Sequence, residues 1–181
     1  MTGLKRGMVE LAEHDPEWEK RAAQMIERLW GIFGPTAKEI QHIGSTAIRH
    51  IKAKPIVDIA VGVLDFACLP GILPRLQENG IDKSAGQPFQ DIVLLSVDDQ
   101  ESDKRIYNIP VVVHNNTQWQ NYINFRDYMN HCPKKATAYE KLKCVLAEQY
   151  PNDIIAYMNG KKAFVEACIV ETQRGVKCQE Y

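Results

Sequence analysis

The chain predicts an α+β domain, and three observations carry that expectation. The stretch Val57-Asp58-Ile59-Ala60-Val61-Gly62-Val63 alternates with the period of a strand. Ahead of it, Trp18, Ala22, Met25, Leu29, Ile32 and Phe33 recur at helical spacing. From Thr117 onward the apolar residues again follow helical spacing, interrupted mainly at Pro133 and Pro151.

Asp15-Pro16-Glu17-Trp18 reads as a helix start, with Asp15 as N-cap and Pro16 in the first helical position, where its missing N–H costs little. Gly34-Pro35 ends that helix. Glu39 to Ile43 is a short extended piece leading into Gly44-Ser45-Thr46, and Pro55 to Leu64 is the clearest strand. Asp65 caps a second helix through Leu76, made irregular by Pro70, Gly71 and Pro74. Asp91 to Val97 and Ile106 to Val113 are strands joined by a charged turn too short for a parallel crossover, so they should pair antiparallel. Pro110 places the second of them at an edge or a bulge.

Thr117-Gln118-Trp119-Gln120 has the form of a capping box ahead of Tyr122, Phe125 and Met129. Pro133 begins another helix with Tyr139, Leu142, Val145 and Leu146 on its apolar stripe. Pro151-Asn152-Asp153 restarts the chain, and Asn159-Gly160 is a point of interruption before Ala163 and Phe164. The expected organisation is one domain over residues 1–181, an α+β core to about residue 114 with a helical part over 115–181 packed on it.

With 22 Lys plus Arg against 23 Asp plus Glu, the formal charge is −1, so no global field draws the chain to nucleic acid or to anionic membrane. The five cysteines are scattered without a Cys-x-x-Cys pair, which argues against a zinc knuckle or thioredoxin-like motif and for reduced thiols. No signal-length apolar core opens the chain and no run of 18 or more apolar residues suggests a membrane span. A cytoplasmic protein is expected, with no membrane partner. The sequence does not set an oligomeric state.

Chemistry concentrates at two places. Gly44-Ser45-Thr46 can bring backbone and hydroxyls close to phosphate oxygens, although the same residues suit an ordinary turn. Asp58 lies in an otherwise apolar strand, where a carboxylate is costly unless hydrogen-bonded, paired or bound to a metal. Its alternatives are a ligand or metal contact and a structural partnership with Lys54, Arg49 or a backbone amide. Lys54, before Pro55, is biased to extended geometry at the mouth of the strand, either meeting a phosphate or solvated. His42 shares a strand face with Gly44 and contacts either a ligand or the core. Arg126 suits bidentate phosphate contact or an ion pair within the chain. Trp119 and Tyr122 line a cleft or fill the core. No zinc-ligand spacing and no nucleophile elbow around Ser45 are present.

Several spaced motifs together resemble the GrpB family, within the nucleotidyltransferase-like superfamily. They are Val9-Glu10-Leu11 with Asp15-Pro16-Glu17-Trp18, His42-Ile43-Gly44-Ser45-Thr46-Ala47, and Lys54-Pro55-Ile56-Val57-Asp58-Ile59. To these add Phe125-Arg126-Asp127-Tyr128-Met129, Tyr139-Glu140-Lys141-Leu142-Lys143, and Ala156-Tyr157 with Gly160-Lys161 and Phe164. The resemblance implies a nucleotidyltransferase-like mixed sheet flanked by helices, with additional C-terminal helices. It implies binding of a nucleotide or other phosphorylated small molecule through His42, Gly44, Ser45, Thr46, Lys54, Arg126 and Lys161. Asp58 would be the catalytic carboxylate and metal ligand, with Mg²⁺ as cofactor, if transfer chemistry is retained.

Two departures weigh against transfer. The second carboxylate of such a site falls at Ala60, and Mg²⁺ bridging phosphates is typically held by two or more carboxylates. Asp91, Asp103 and Asp127 are the candidates to replace it. The family's histidine-rich strand reads Arg105-Ile106-Tyr107-Asn108-Ile109-Pro110-Val111 here, without histidine. The alternative expectation is therefore a ligand-binding or interaction domain that keeps the fold without the metal pair.

Overall fold

In the computed structural model, residues 2–84 and 91–175 are described; Gln90 and Cys178 lie outside them. Strand β1 (Leu4–Lys5) is followed by α1 (Glu17–Phe33), β2 (Ala37–Ile43) and β3 (Val57–Val63). Helix α2 (Leu69–Glu78) and strands β4 (Asp82–Lys83), β5 (Val93–Asp99) and β6 (Lys104–Val113) come next. Helices α3 (Thr117–His131), α4 (Pro133–Gln149) and α5 (Ile154–Gln173) complete the chain. The sheet runs β2-β3-β6-β5-β4, with β1 joined to β6. Among the described residues only the β3–β6 pair is parallel; β2–β3, β5–β6, β4–β5 and β1–β6 are antiparallel. This is the mixed sheet flanked by helices that the sequence predicts.

The period of two in β3 decides how the layers form. Val57, Ile59, Val61 and Val63 face α1 and α2, where Trp18, Leu29, Leu76, Leu95, Ile109 and Val111 are buried with them. Each such large apolar side chain contributes about 1.5–3 kcal/mol when fully buried. On the opposite face Ala60 packs with Ile43, Ile92, Val112 and Trp119 beneath α3. Trp119 is core. The C-terminal helices form their own cluster, in which Phe125, Met129, Ala136, Tyr139 and Cys168 enclose Ile48 and Ile51.

Five local expectations change. Pro110 lies in a central strand rather than at an edge, with β3 on one side and β5 on the other. The β3–β6 register holds at Asp58–Asn108 and resumes at Val61–Val111, and Pro110, which has no N–H to give, falls in the gap. The cap of α3 is Asn116, whose side chain accepts from the Trp119 N–H at 2.8 Å, so Thr117 is already helical. Asp65 caps only a short 3-10 turn through the Ala67 N–H; α2 begins afterwards at Leu69, with Pro70 in its first turn, where a proline is tolerated. Helix α5 runs without a break through Asn159 and Gly160, because Gly160 is where Leu146 of α4 presses closest and a Cβ would overlap it. Cys132 is disulfide-bonded, contrary to an all-thiol chain, while Cys68, Cys144 and Cys168 are free. Among the described residues no helix is long and apolar enough to cross a membrane.

Candidate functional site

A cavity of about 560 Å³ opens between the sheet and the C-terminal helices. Its polar wall carries Arg6, Lys54, Asp58, Arg105, Asn108 and Lys161; Ile43, Ile92, Leu94, Pro110 and Met158 supply apolar surface. A smaller recess of about 210 Å³ shares Gly44, Lys54, Asp58, Asn108 and Lys161 and adds Ser45, Tyr139 and Tyr157.

Two features of the sheet build the polar wall. The parallel register sets Asp58 opposite Asn108, and the Asn108 Nδ2 donates to Asp58 Oδ1 at 2.9 Å. A bulge in β6 then adds a third member. Val97 pairs with Tyr107 but Asp98 pairs with Arg105, leaving Ile106 as an extra residue. One extra residue reverses the alternation, so Arg105 and Asn108, three apart, project from the same face. Arg105 donates to Asn108 Oδ1 at 3.4 Å and to Asp98 Oδ1 at 2.9 Å, and Arg6 also pairs with Asp98.

Gly44 brings the turn against this wall. Its φ of 71° and ψ of −168° belong to a region used almost only by glycine, and a Cβ there would overlap Asp58 Oδ2. Burial pushes the Asp58 carboxyl above its usual range, opposed by the Asn108 bond and by Lys54 and Lys161. Lys54 is pushed down to about 8, first by burial and then by Lys161, while Asp58 pulls it back up. Both ammoniums sit over the ring of Tyr157, Lys54 at 5.8 Å and Lys161 at 5.2 Å from its centroid.

Gly44, Ser45, Lys54, Asp58 and Lys161 are thus brought together. The remaining sequence-derived candidates have protein partners. His42 Nε2 shares a 2.9 Å hydrogen bond with Thr46 Oγ1, and burial, with the Arg126 cation second, pushes its imidazole down to about 4. Arg126 donates to Gln41 Oε1 at 2.7 Å and to the His42 carbonyl at 2.9 Å, and pairs with Asp127 at 2.7 Å. His42, Thr46 and Arg126 do not line the cavity.

The donor set for a magnesium ion is sparse. Asp58 is the one carboxylate among the described residues lining the cavity or its recess. Ala60 is fully buried beneath α3; Asp127 is taken by Arg126, and Asp91 and Asp103 are exposed elsewhere. No group of three or more His, Cys, Asp or Glu that could hold a metal occurs among the described residues. A two-carboxylate Mg²⁺ site does not fit these residues.

Sequence reasoning passed over Arg105, Asn108 and Lys143, and left Tyr122 open between cleft and core. Tyr122 lines the cavity, its phenol pushed up to about 12 by burial. Lys143 is 1% exposed; its ammonium donates to the Lys52 carbonyl and stands 4.8 Å from the Tyr139 ring centroid. Glu140, one turn earlier, accepts from the Lys52 N–H at 2.6 Å, so α4 grips both sides of the residue two before Lys54. A lysine at helical spacing with Tyr139 and Leu146 was the available signal. The N-terminal strap also went unread: Gly3 donates to the Pro55 carbonyl at 2.6 Å and Ala12 to Ala53 at 2.8 Å, carrying Lys5, Arg6 and Met8 across the cavity rim.

Comparison with known proteins agrees with this architecture. A sequence model of the family described as GrpB protein matches residues 8–171. The glutamate-rich protein GrpB of Alkalihalophilus pseudofirmus is 38% identical over 173 residues, spanning 94% of this chain and 99% of its own length. The crystal structure of the conserved protein GrpB from Enterococcus faecalis superposes with a TM-score of 0.82 at 26% identity, covering 92% of this chain and 98% of that one. The Cid1 poly(U) polymerase with Mg 3'-dATP bound has a TM-score of 0.55 at 17% identity over 83% of this chain and 49% of its own, a likeness of fold alone.

Proposed function

The chain belongs to the GrpB family, and on that premise we infer that it binds a nucleotide or other phosphorylated small molecule in the cavity between the sheet and α5. One observation carries the reading: Lys54, just ahead of β3, and Lys161, on α5, converge on the Asp58 carboxylate beside a glycine turn, and Arg105, paired with Asp98, lines the same cavity. Bringing like charges together in a part-buried site costs stability, and an anionic ligand offsets that cost. The neighbouring apolar wall of Ile43, Ile92, Leu94 and Met158 suits a base or other flat apolar moiety. In Cid1 the same fold accompanies a bound nucleotide, which favours that class among phosphorylated molecules.

The catalytic alternative, nucleotidyl or phosphoryl transfer, rests on the placement of Asp58 beside Gly44. It asks one carboxylate to do what is usually shared between two.

Thermal unfolding of the chain against a panel of nucleoside mono-, di- and triphosphates tests the reading. A ligand at about 100 times its dissociation constant should add ~2.7 kcal/mol to stability. The expected result is a shift with at least one member of the panel that is lost in Lys161→Met. Failure of every member to shift the wild type would sink nucleotide binding.

A further inference from the structure

Resting on that reading, we propose that the cavity takes its di- or triphosphate ligand as the metal-free anion, with Lys54 and Lys161 standing where a divalent cation would otherwise stand. The first ground is the state of the carboxylate. Asp58 Oδ1 accepts the Asn108 amide N–H at 2.9 Å, and Asp58 is the one carboxylate among the described residues lining the cavity. Mg²⁺ bridging phosphates is typically held by two or more carboxylates in near-octahedral geometry, and a single carboxylate already sharing one oxygen with an amide does not supply that set.

The second ground is the orientation of Asn108. Its amide oxygen accepts from Arg105 while its nitrogen donates to Asp58, so one network sets both ends of the amide. Turning it round to offer the oxygen beside Asp58 would set an oxygen against a carboxylate and an NH₂ against a guanidinium. The amide therefore cannot act as a substitute metal ligand without breaking both contacts. Ala60, on the same strand face, has no donor at all and is sealed beneath Trp119, Ile92 and Val112.

The third ground is charge. Lys54 and Lys161 lie over one aromatic ring, 5.8 and 5.2 Å from its centroid, and Arg105 lines the same cavity. A divalent ion beside Asp58 would meet both ammoniums in a part-buried setting, where repulsion is far less screened than in water. A pyrophosphate group meets the opposite situation, since each ammonium offers three donors to its oxygens. Asp58, hydrogen-bonded to Asn108, is then neither a metal ligand nor a contact the anion needs.

Calorimetric titration of the full chain with inorganic pyrophosphate and with ATP, each in EDTA and in excess Mg²⁺, reads this directly. The expected result is binding in EDTA at least as tight as in Mg²⁺, weakened about tenfold or more in Lys161→Met, the worth of one charge-assisted contact. Asp58→Asn, which keeps an oxygen to accept from Asn108, should bind at least as tightly as wild type. Tighter binding in Mg²⁺ than in EDTA, or loss of binding in a folded Asp58→Asn, would overturn the metal-free proposal and leave phosphate binding standing. Absence of binding by both probes in both buffers would overturn the proposal together with the reading beneath it.

Discussion

Asn108 and Asp58, fifty residues apart, are joined by a 2.9 Å hydrogen bond across the parallel β3–β6 strand pair. The carboxylate sits in a site that favours its neutral form, since burial outweighs the lysines and the amide donor. A carboxyl with a raised folded-state pKa stabilises fully below its unfolded value of 3.8 and loses that contribution as pH rises through the folded pKa. Asp58→Asn removes the titration and keeps the acceptor. It should therefore match wild type near pH 3.8 and be the more stable of the two at neutral pH, as urea unfolding across that range will show. A neutral-pH loss of stability would mean that the lysine pairing outweighs the burial cost.

Gly44→Ala puts a methyl group into Asp58 at a backbone conformation that side chains rarely adopt. A loss of roughly 1–3 kcal/mol is expected. Part of that loss comes from the overlap with Asp58 and part from the backbone. In a double-mutant cycle, Gly44→Ala should therefore cost less in an Asp58→Ala background, by about 0.5 kcal/mol or more. Strict additivity would show that the two residues do not press on each other in solution.

Lys143 is 1% exposed and its ammonium is pushed down to about 7, by burial first and by Lys161 second. For a lysine with a depressed folded pKa, stability is present above the unfolded value of 10.5 and is lost as pH falls through about 7. Relative to Lys143→Met, wild type should gain stability as pH rises between about 7 and 10.5, at up to about 1.4 kcal/mol per pH unit. Lys54 titrates in both proteins and cancels in the difference. Parallel pH profiles for the two would contradict the buried ammonium.

Gly160→Ala tests the helix contact that keeps α5 continuous. Alanine favours a helix over glycine by about 0.8–1 kcal/mol, yet here its methyl group would overlap Leu146. Overpacking of this kind costs ~1–3 kcal/mol, so the net effect should be destabilising. Adding Leu146→Val should recover part of the loss, as denaturant midpoints will report. A stabilised single variant would show that Leu146 moves aside freely.

The comparison of sequence with structure turns on range. The alternation of Val57, Ile59, Val61 and Val63 and the helical spacing from Trp18 to Phe33 are local, and each recurs as a strand or helix facing the core. Gly44 and Asp58 stood out for a local reason too, an oddly permissive residue and a misplaced carboxylate. Arg105 did not, because its face depends on a bulge defined only by pairing with β5, and strict alternation would have sent it to the other side. Asn108 did not, because nothing near it in the chain shows that Asp58 will be its neighbour. The reading of Asn159-Gly160 as a break used propensity correctly, and packing against Leu146 overrode it.

By itself, then, the sequence determined the longer helices and strands, the fold class and the family, since hydrophobic period, proline and glycine punctuation and spaced motifs are written along the chain. The two-residue strands β1 and β4 came only with pairing. Only the tertiary structure decided what the candidate site holds. Placing β3 beside β6 used one oxygen of Asp58 on an amide, and packing α5 over the sheet brought Lys161 to Lys54. His42 and Arg126 were drawn to protein partners by the same packing. The physical reason is that burial cost and charge–charge interaction depend on distance in space, and spatial distance between these residues exists only once the sheet order and register are set.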